Sequence, residues 1–462
     1  MTSDSSHLLN YSFEEIIIFL EYFSTHISVI IFLLLGLITY FSIKKRRTSN
    51  SVHIELMKDN ELKNIHEPLT LHPSINPALC GGCKSCISVC PEGDILGLVN
   101  NKAELLHPTR CLGHGECEQA CPIGAIKLVF GTKSRGMNLP RLSSNYETNV
   151  KGLYIAGELG GMGLIRNAVK QGTLAAEDAA QNLSKISSVI ELDIFIIGSG
   201  PAGFSAALTC KSLGLKYKCI EQNTFGGTIS NFPRQKILSS KPFVLPLVGK
   251  SKFKNNSTNK MDLLNYWNEI REEYSLNISE KQTFLNLDGE DGKFVVKTSQ
   301  GNYQTKKVIL CIGLRGTPRK LGLVNEDLNK VSYDVIEPEQ YLKKNIALVG
   351  GGNSAIESAL LLSDPLLENK VTLIVRKDEN QGLAHASLEN INKLIEAQKY
   401  NYLKIFYSTQ VSKIENEKIE LISKNQPFEL KNDYLFILAG TSMPTKFLQG
   451  LGVNIVKKFG ES

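Results

Sequence analysis

Cysteine is the residue type whose spacing says most about chemistry in this chain. Ten occur in 462 residues, and seven of them fall between Cys80 and Cys121. The first run, Cys80-Gly81-Gly82-Cys83-Lys84-Ser85-Cys86-Ile87-Ser88-Val89-Cys90-Pro91, is a complete C-x-x-C-x-x-C-x-x-x-C-P pattern. Three thiolates at that spacing close around one face of an iron–sulfur cubane, while the fourth, beyond a proline-fixed turn, points to a second cluster. A zinc ribbon has two separated C-x-x-C pairs and no interleaved fourth cysteine, so the spacing argues against zinc. A disulfide scaffold would spread its cysteines over a short chain. The second run, Cys111-Leu112-Gly113-His114-Gly115-Glu116-Cys117-Glu118-Gln119-Ala120-Cys121-Pro122, keeps the frame but puts His114 where the second cysteine should stand. An imidazole ligand there removes one negative thiolate and eases reduction. The alternatives are a three-iron cluster lacking that corner, or a surface histidine beside an empty second site.

Two other stretches carry the chemistry of dinucleotide binding. Leu192-Asp193-Ile194-Phe195-Ile196-Ile197 is apolar enough for a buried parallel strand and enters Gly198-Ser199-Gly200-Pro201-Ala202-Gly203, a G-x-G-x-x-G that opens a helix. Gly198 permits the tight turn, Gly200 lets backbone approach a pyrophosphate, and Gly203 allows close helix–strand packing. Glu221 ends the next strand, 18 residues past Gly203, where it can bind a ribose hydroxyl. A second unit runs from Asn345 through Gly350-Gly351-Gly352-Asn353-Ser354-Ala355, with Gly350, Gly352, Asn353 and Ser354 expected around the pyrophosphate. Its following strand ends in Arg376-Lys377 and not in an acid, which favours the 2′-phosphate of NADP over NAD.

The two cysteine runs together resemble the bacterial two-cluster ferredoxin module over about residues 71–130. That resemblance implies crossed ligation: Cys80, Cys83, Cys86 and Cys121 around one 4Fe-4S cluster, and Cys111, Cys117 and Cys90 with His114 around the other. Residues 150–462 resemble the thioredoxin-reductase-like flavoproteins, in which the first fold holds FAD and a second, inserted fold holds NADPH. The resemblance is carried by Phe225-Gly226-Gly227-Thr228, by Val308-Ile309-Leu310-Cys311-Ile312-Gly313 with Thr317-Pro318-Arg319, and by Leu435-Phe436-Ile437-Leu438-Ala439-Gly440 ahead of Pro444. Asn231-Phe232-Pro233 resembles the bacillithiol-disulfide-reductase branch. Those flavoproteins close with a strand and helix reading roughly G-x-x-x-A-G-D, and nothing of the kind follows Pro444. It stands instead ahead of the first fold, as Lys151-Gly152-Leu153-Tyr154-Ile155-Ala156-Gly157-Glu158, then Gly160-Gly161-Met162-Gly163 and a helix to about Ala180. The resemblance implies a circular permutation, with Gly157, Glu158 and Gly313 at the flavin; an unrelated strand–turn–helix linker is the alternative. Whether this element serves its own chain or a neighbour's is open. The redox C-x-x-C of thioredoxin reductases is missing, and Cys210, Cys219 and Cys311 sit among apolar residues, where inert packing is the default.

These residues need elements to hold them. With 42% hydrophobic and 21% charged residues the composition is globular, and a net charge of +6 is too mild for a nucleic-acid binder. Tyr22 to Ile43 contains no Lys, Arg, Asp or Glu, follows only acidic charges and precedes Lys44-Lys45-Arg46-Arg47. That pattern predicts one membrane-spanning helix, with the N-terminus outside and the rest in the cytoplasm. The expected organisation is an outer segment 1–21, the span 22–43, a linker 44–70, the cluster module 71–130, the displaced flavin element 131–189, the FAD-binding domain 190–338, the NAD(P)-binding domain 339–432 and a return to the FAD domain 433–462. The fold class is α/β: two Rossmann-like domains, a small α+β dicluster module and the N-terminal transmembrane helix. The expected function is a membrane-anchored iron–sulfur flavoprotein oxidoreductase. It would move electrons between NAD(P)H, FAD and two 4Fe-4S clusters, and on to or from an electron-carrier protein or membrane redox partner. Lipid would meet the N-terminal helix; a homodimer is left open. Hydride transfer needs no acid–base side chain, and none is nominated. Two other functions fit: a disulfide reductase working through Cys219 or Cys311, and a membrane redox sensor or assembly subunit without turnover.

Overall fold

The computed structural model describes residues 13–460 except 64, 69, 162, 184–189, 234–236, 240–241, 252, 254–256, 315–317 and 442. Met162 and Thr317, both part of motifs named above, lie outside the described residues, as do the side chains of 13–25 and 27–28.

Leu192–Ile197 lies inside a seven-stranded sheet, parallel to Tyr217–Ile220 on one side and to the second half of Gly301–Leu310 on the other. A strand covered on both faces has to be apolar throughout, which is how Ile194, Phe195 and Ile196 come to be fully buried. The displaced element joins this same sheet. Leu153–Ile155 pairs in parallel with residues 308–310, Leu153 opposite Val308 and Ile155 opposite Leu310, and all three of its side chains are fully buried. The closing strand therefore serves its own chain.

The helix that follows, Ile165–Gln181, lies against Pro201–Ser212, the helix opened by the glycine turn. Their approach is close enough that a Cβ on Gly172 would fall inside the Ala202 carbonyl. Thr173 Oγ1 and Ser205 Oγ are 2.7 Å apart across the contact, and Ser205 donates to the Val169 carbonyl at 2.8 Å. At the far end of the chain, Ile455–Lys458 pairs antiparallel with Met137–Pro140, and the Arg141 amide donates to the Asn454 carbonyl at 2.8 Å. Residues 452–458 thus run beside the start of the displaced element.

The second fold is a five-stranded parallel sheet in the order Val331–Ser332, Tyr434–Ile437, Asn345–Val349, Lys370–Ile374, Leu403–Phe406. A three-stranded antiparallel sheet, residues 409–431, covers one face through Ile414, Ile419 and Leu421. The cysteine module is two small antiparallel ribbons, His72–Ile75 with Ile126–Val129 and Leu96–Val99 with Lys102–Leu105, and two single-turn helices. Its core mixes Ile95, Leu96 and Ile126 with Cys80, Cys86 and Cys117.

One helix, Phe13–Leu62, runs through the expected span and on through most of the stretch read as a linker. Residues 50–60 are not loose. The Asn100 amide donates to Asn50 Oδ1 at 2.6 Å, His53 Nδ1 lies 2.8 Å from the Leu98 carbonyl oxygen, and Asn60 Nδ2 donates to the Leu106 carbonyl at 2.7 Å. Among the described residues no helix is long and apolar enough to cross a membrane. The predicted span begins at Tyr22, and most of its first side chains lie outside the described ones.

The contact at Gly172 sets a prediction for stability. Gly172→Ala should lower it by about 1–3 kcal/mol, the usual cost of overpacking a close contact. Gly450→Ala, where nothing approaches within 4 Å, should leave the urea-unfolding midpoint unchanged or slightly raised.

Candidate redox site

A cavity of about 1320 Å³ opens beyond the carboxyl ends of the first sheet's parallel strands, where open α/β sheets bind ligands. Gly198 and Gly200 line it, with Gly198 at φ 99°, and Gly203 packs beneath, where a Cβ would fall inside the Gly198 carbonyl. Glu221 is buried at the end of the next strand; its Oε2 accepts from the Ser199 amide at 2.9 Å and its Oε1 from the Asn223 amide at 3.2 Å. From the displaced element come Gly157, whose amide donates to Gln171 Oε1 at 2.7 Å, and Glu158, whose carboxylate lies against Gly163 and faces Gly313. Gly157, Glu158, Gly198, Gly200, Glu221 and Gly313 therefore share one cavity, and Gly203 supports its floor. A volume of this size, a glycine turn at a helix start and two carboxylates fit a flavin dinucleotide.

Two residues that the motifs did not mark for this cavity also line it: Leu112 and His114, from the second cysteine run. The His114 side chain is only 13% exposed, and its Nε2 lies 3.7 Å from Glu92 Oε1. Its carbonyl accepts from the Arg166 guanidinium. No sequence signal could have shown this, because it depends on how the module docks against the helix Ile165–Gln181.

Six of the seven cysteines between Cys80 and Cys121 fall into two groups by their mutual influence. Burial raises the Cys86 thiol, and neighbouring Cys80 and Cys83 push it further. Burial also pushes Cys111 up to about 11, with Cys90 and Glu92 adding to it. Cys117 reaches about 12 through burial and then through Cys111 and Cys90. Cys90 thus keeps company with Cys111 and Cys117, the grouping that crossed ligation requires. The Ala103 amide donates to Cys80 Sγ at 3.4 Å and the Ala125 amide to Cys121 Sγ at 3.2 Å, the backbone support a cluster sulfur uses. Cys83 is exposed, its thiol lowered by the Ser85 hydroxyl. Among the described residues no three or more His, Cys, Asp or Glu side chains close on a single metal ion. What fits clusters is the spacing of the two runs together with the nearness of Cys90 to Cys111 and Cys117.

The second glycine turn lies outside the cavity. Gly350 is backed by the Leu438 carbonyl, 2.5 Å from where a Cβ would stand, and Gly352 caps Asn353–Leu362 without a side-chain cap bond. The first-turn amides, Ser354 among them, are thus available to a phosphate. Asn353 differs from expectation: its Oδ1 accepts from the Ser387 amide at 2.7 Å and Asn390 Nδ2 at 3.0 Å, which leaves its amide as the group to meet a ligand. Arg376 and Lys377 are exposed just beyond Lys370–Ile374, and Lys377 helps burial hold the His385 imidazole below its ordinary range. Thr109 Oγ1 donates to the Ala384 carbonyl at 2.5 Å, so the cysteine module touches this fold too. Cys210, Cys219 and Cys311 are buried, and burial raises all three thiols; of them only Cys311 lines the cavity.

The grouping of Cys90 is directly testable. Cys90→Ser and Cys117→Ser should delete the same cluster, and Cys86→Ser the other. Iron and sulfide quantitation with electron paramagnetic resonance of the reduced proteins would show it.

Comparison with known proteins agrees with this architecture. Residues 72–122 match a 4Fe-4S dicluster domain, and residues 195–459 match the pyridine nucleotide-disulphide oxidoreductase family. A ferredoxin–NADP reductase of Ignicoccus hospitalis is 26% identical over 267 residues, 57% of this chain and 82% of that protein. The bacilliredoxin reductase of Bacillus subtilis is 27% identical over 277 residues, covering 59% and 84%. Among solved structures, the bacillithiol disulfide reductase of Staphylococcus aureus shares the fold, with a TM-score of 0.51 at 22% identity over 57% of this chain and 80% of that one. With FAD, NADP and iron–sulfur clusters as its cofactors, the chain belongs to the pyridine nucleotide-disulphide oxidoreductase family and carries a dicluster iron–sulfur module ahead of the reductase fold.

Proposed function

We propose that this protein moves electrons between NADPH and a one-electron carrier, through a flavin and two iron–sulfur clusters held in one chain. The observation that carries the reading is the shared wall: Leu112 and His114 of the cysteine module line the same cavity as Gly198, Glu158 and Glu221. The named activity of the Ignicoccus relative, ferredoxin–NADP reductase, supports it. Bound FAD exchanges electrons in pairs with a nicotinamide and singly with a cluster.

The chain's own residues do the holding. Glu221 and Glu158 would hold the flavin's sugar and ribityl hydroxyls, and the Gly200 and Ala202 amides would meet its pyrophosphate. Arg376 and Lys377 meet the 2′-phosphate of NADPH. Cys80, Cys83, Cys86 and Cys121 hold one cluster; Cys90, Cys111, Cys117 and the His114 corner hold the other. We read the N-terminal helix as a membrane anchor that leaves the reductase on the cytoplasmic face. In support, the large apolar residues from Val29 to Ile43 are each more than half exposed and end at Lys44-Lys45-Arg46-Arg47. The carrier is then a protein or a membrane-bound redox partner.

A second reading, disulfide reduction, draws on Cys311 at the cavity wall. Burial raises that thiol, however, which makes it a poor nucleophile.

Anaerobic NADPH titration should bleach the flavin and then bring up the reduced-cluster resonance. Bleaching without any cluster signal would end the proposal. The double variant Arg376→Ala, Lys377→Ala should raise KM for NADPH about a hundredfold or more while leaving KM for NADH nearly unchanged, since each charge-assisted phosphate bond is worth about 1.5–3 kcal/mol. A low-molecular-weight thiol disulfide should not be turned over with NADPH; sustained turnover abolished by Cys311→Ser would establish the second reading instead.

A further inference from the structure

Building on that reading, we propose that electrons cross between flavin and module only at the second cysteine site, and that Arg166 is the positioning residue that sets this crossing. Arg166 lies in the first turn of Ile165–Gln181, directly after Gly163, Leu164 and Ile165, which line the flavin cavity. Its guanidinium reaches the other way. Nη1 pairs with Glu116 Oε1 at 2.5 Å, and Nη2 donates to the His114 carbonyl. The Glu116 side chain is 7% exposed and that of Arg166 20%, so the contact is largely closed to water. His114 lies in the short loop after Cys111, and Glu116 opens the single-turn helix that carries Cys117. One planar fork therefore fastens that loop to the helix whose start forms the flavin wall, a geometry that lysine's single ammonium cannot reproduce.

The first cysteine run faces elsewhere. None of its residues lines the cavity. Gly82 packs on the Asn101 carbonyl at the hairpin tip beside Asn50, and Cys83 is open to solvent. The order is thus flavin, second site, first site. NADPH gives up a hydride and leaves as NADP⁺; a bound flavin would pass on the two electrons one at a time and release the single proton to solvent. Both electrons enter at the second site, one is passed on to the first, and each cluster ends reduced by one.

The test is a single turnover of the full-length protein with NADPH, followed by stopped-flow absorbance and freeze-quench paramagnetic resonance. In Cys117→Ser the flavin should still bleach, while the first cluster is reduced at least about tenfold more slowly. In Cys86→Ser the second cluster should be reduced at the rate of the unaltered protein. Reduction of the first cluster at full speed in Cys117→Ser would overturn the order. In Arg166→Ala, at equal iron, sulfide and flavin content and with both cluster potentials unmoved, bleaching should hold its rate and cluster reduction should slow about tenfold. An unslowed cluster would overturn the positioning role. Should Arg166→Ala lose iron, Arg166→Lys carries the same test, since it keeps the charge beside Glu116 but not the fork, and it too must lag. Flavin bleaching with both clusters left oxidised in the unaltered protein would overturn the function itself, separately from the order.

Discussion

The pairing of Leu153–Ile155 with residues 308–310 is the constraint on which the rest depends. Three wholly buried residues, hydrogen-bonded in parallel, place Gly157 and Glu158 over the glycine turn and send Ile165–Gln181 back across Pro201–Ser212. A slip of one residue would turn Tyr154 to the other face and break its bond to Asp178 Oδ2, now 2.9 Å. This strand precedes the rest of its sheet in the chain, with the cysteine module ahead of it.

The seam between the module and the reductase is polar and half-closed, unlike the apolar cores on either side. Arg166 with Glu116, Arg166 with the His114 carbonyl, and Thr109 with Ala384 all cross it. A buried ion pair is weak evidence for stability, but it is strict about geometry, because a partner lost there leaves an uncompensated charge. That strictness suits a junction whose separation matters more than its strength. Within the module burial raises the Cys111 and Cys117 thiols.

The three remaining cysteines show how place decides chemistry. Cys210, Cys219 and Cys311 lie in the core between helix and sheet, each pushed up by burial. The Ser199 and Asn223 amides orient the Glu221 carboxylate and leave Oε1 a lone pair for a ligand hydroxyl, whereas Ser387 and Asn390 occupy Asn353 Oδ1. Side chains of the right type at the right spacing can still be occupied by the fold around them.

Spacing alone made both cysteine runs and both glycine turns legible, because those motifs encode local geometry: a loop around a cubane, a strand, a turn and a helix start. The apolar run Leu192–Ile197 announced a strand covered on both faces for the same local reason. Other facts could come only from the tertiary structure. The continuation of the long helix to Leu62 escaped the sequence reading because polar residues 44–62 show no apolar stripe, their place being held by Asn50, His53 and Asn60 bonding to backbone. That Leu153–Ile155 completes its own chain's sheet depends on a partner strand over 150 residues away. The meeting of His114 with the flavin cavity depends on Arg166 and Glu116 across a docking surface, and such contacts carry no periodicity along the chain. Motifs repeat because backbone geometry repeats; the join between two modules is a single event, and only the folded molecule contains it.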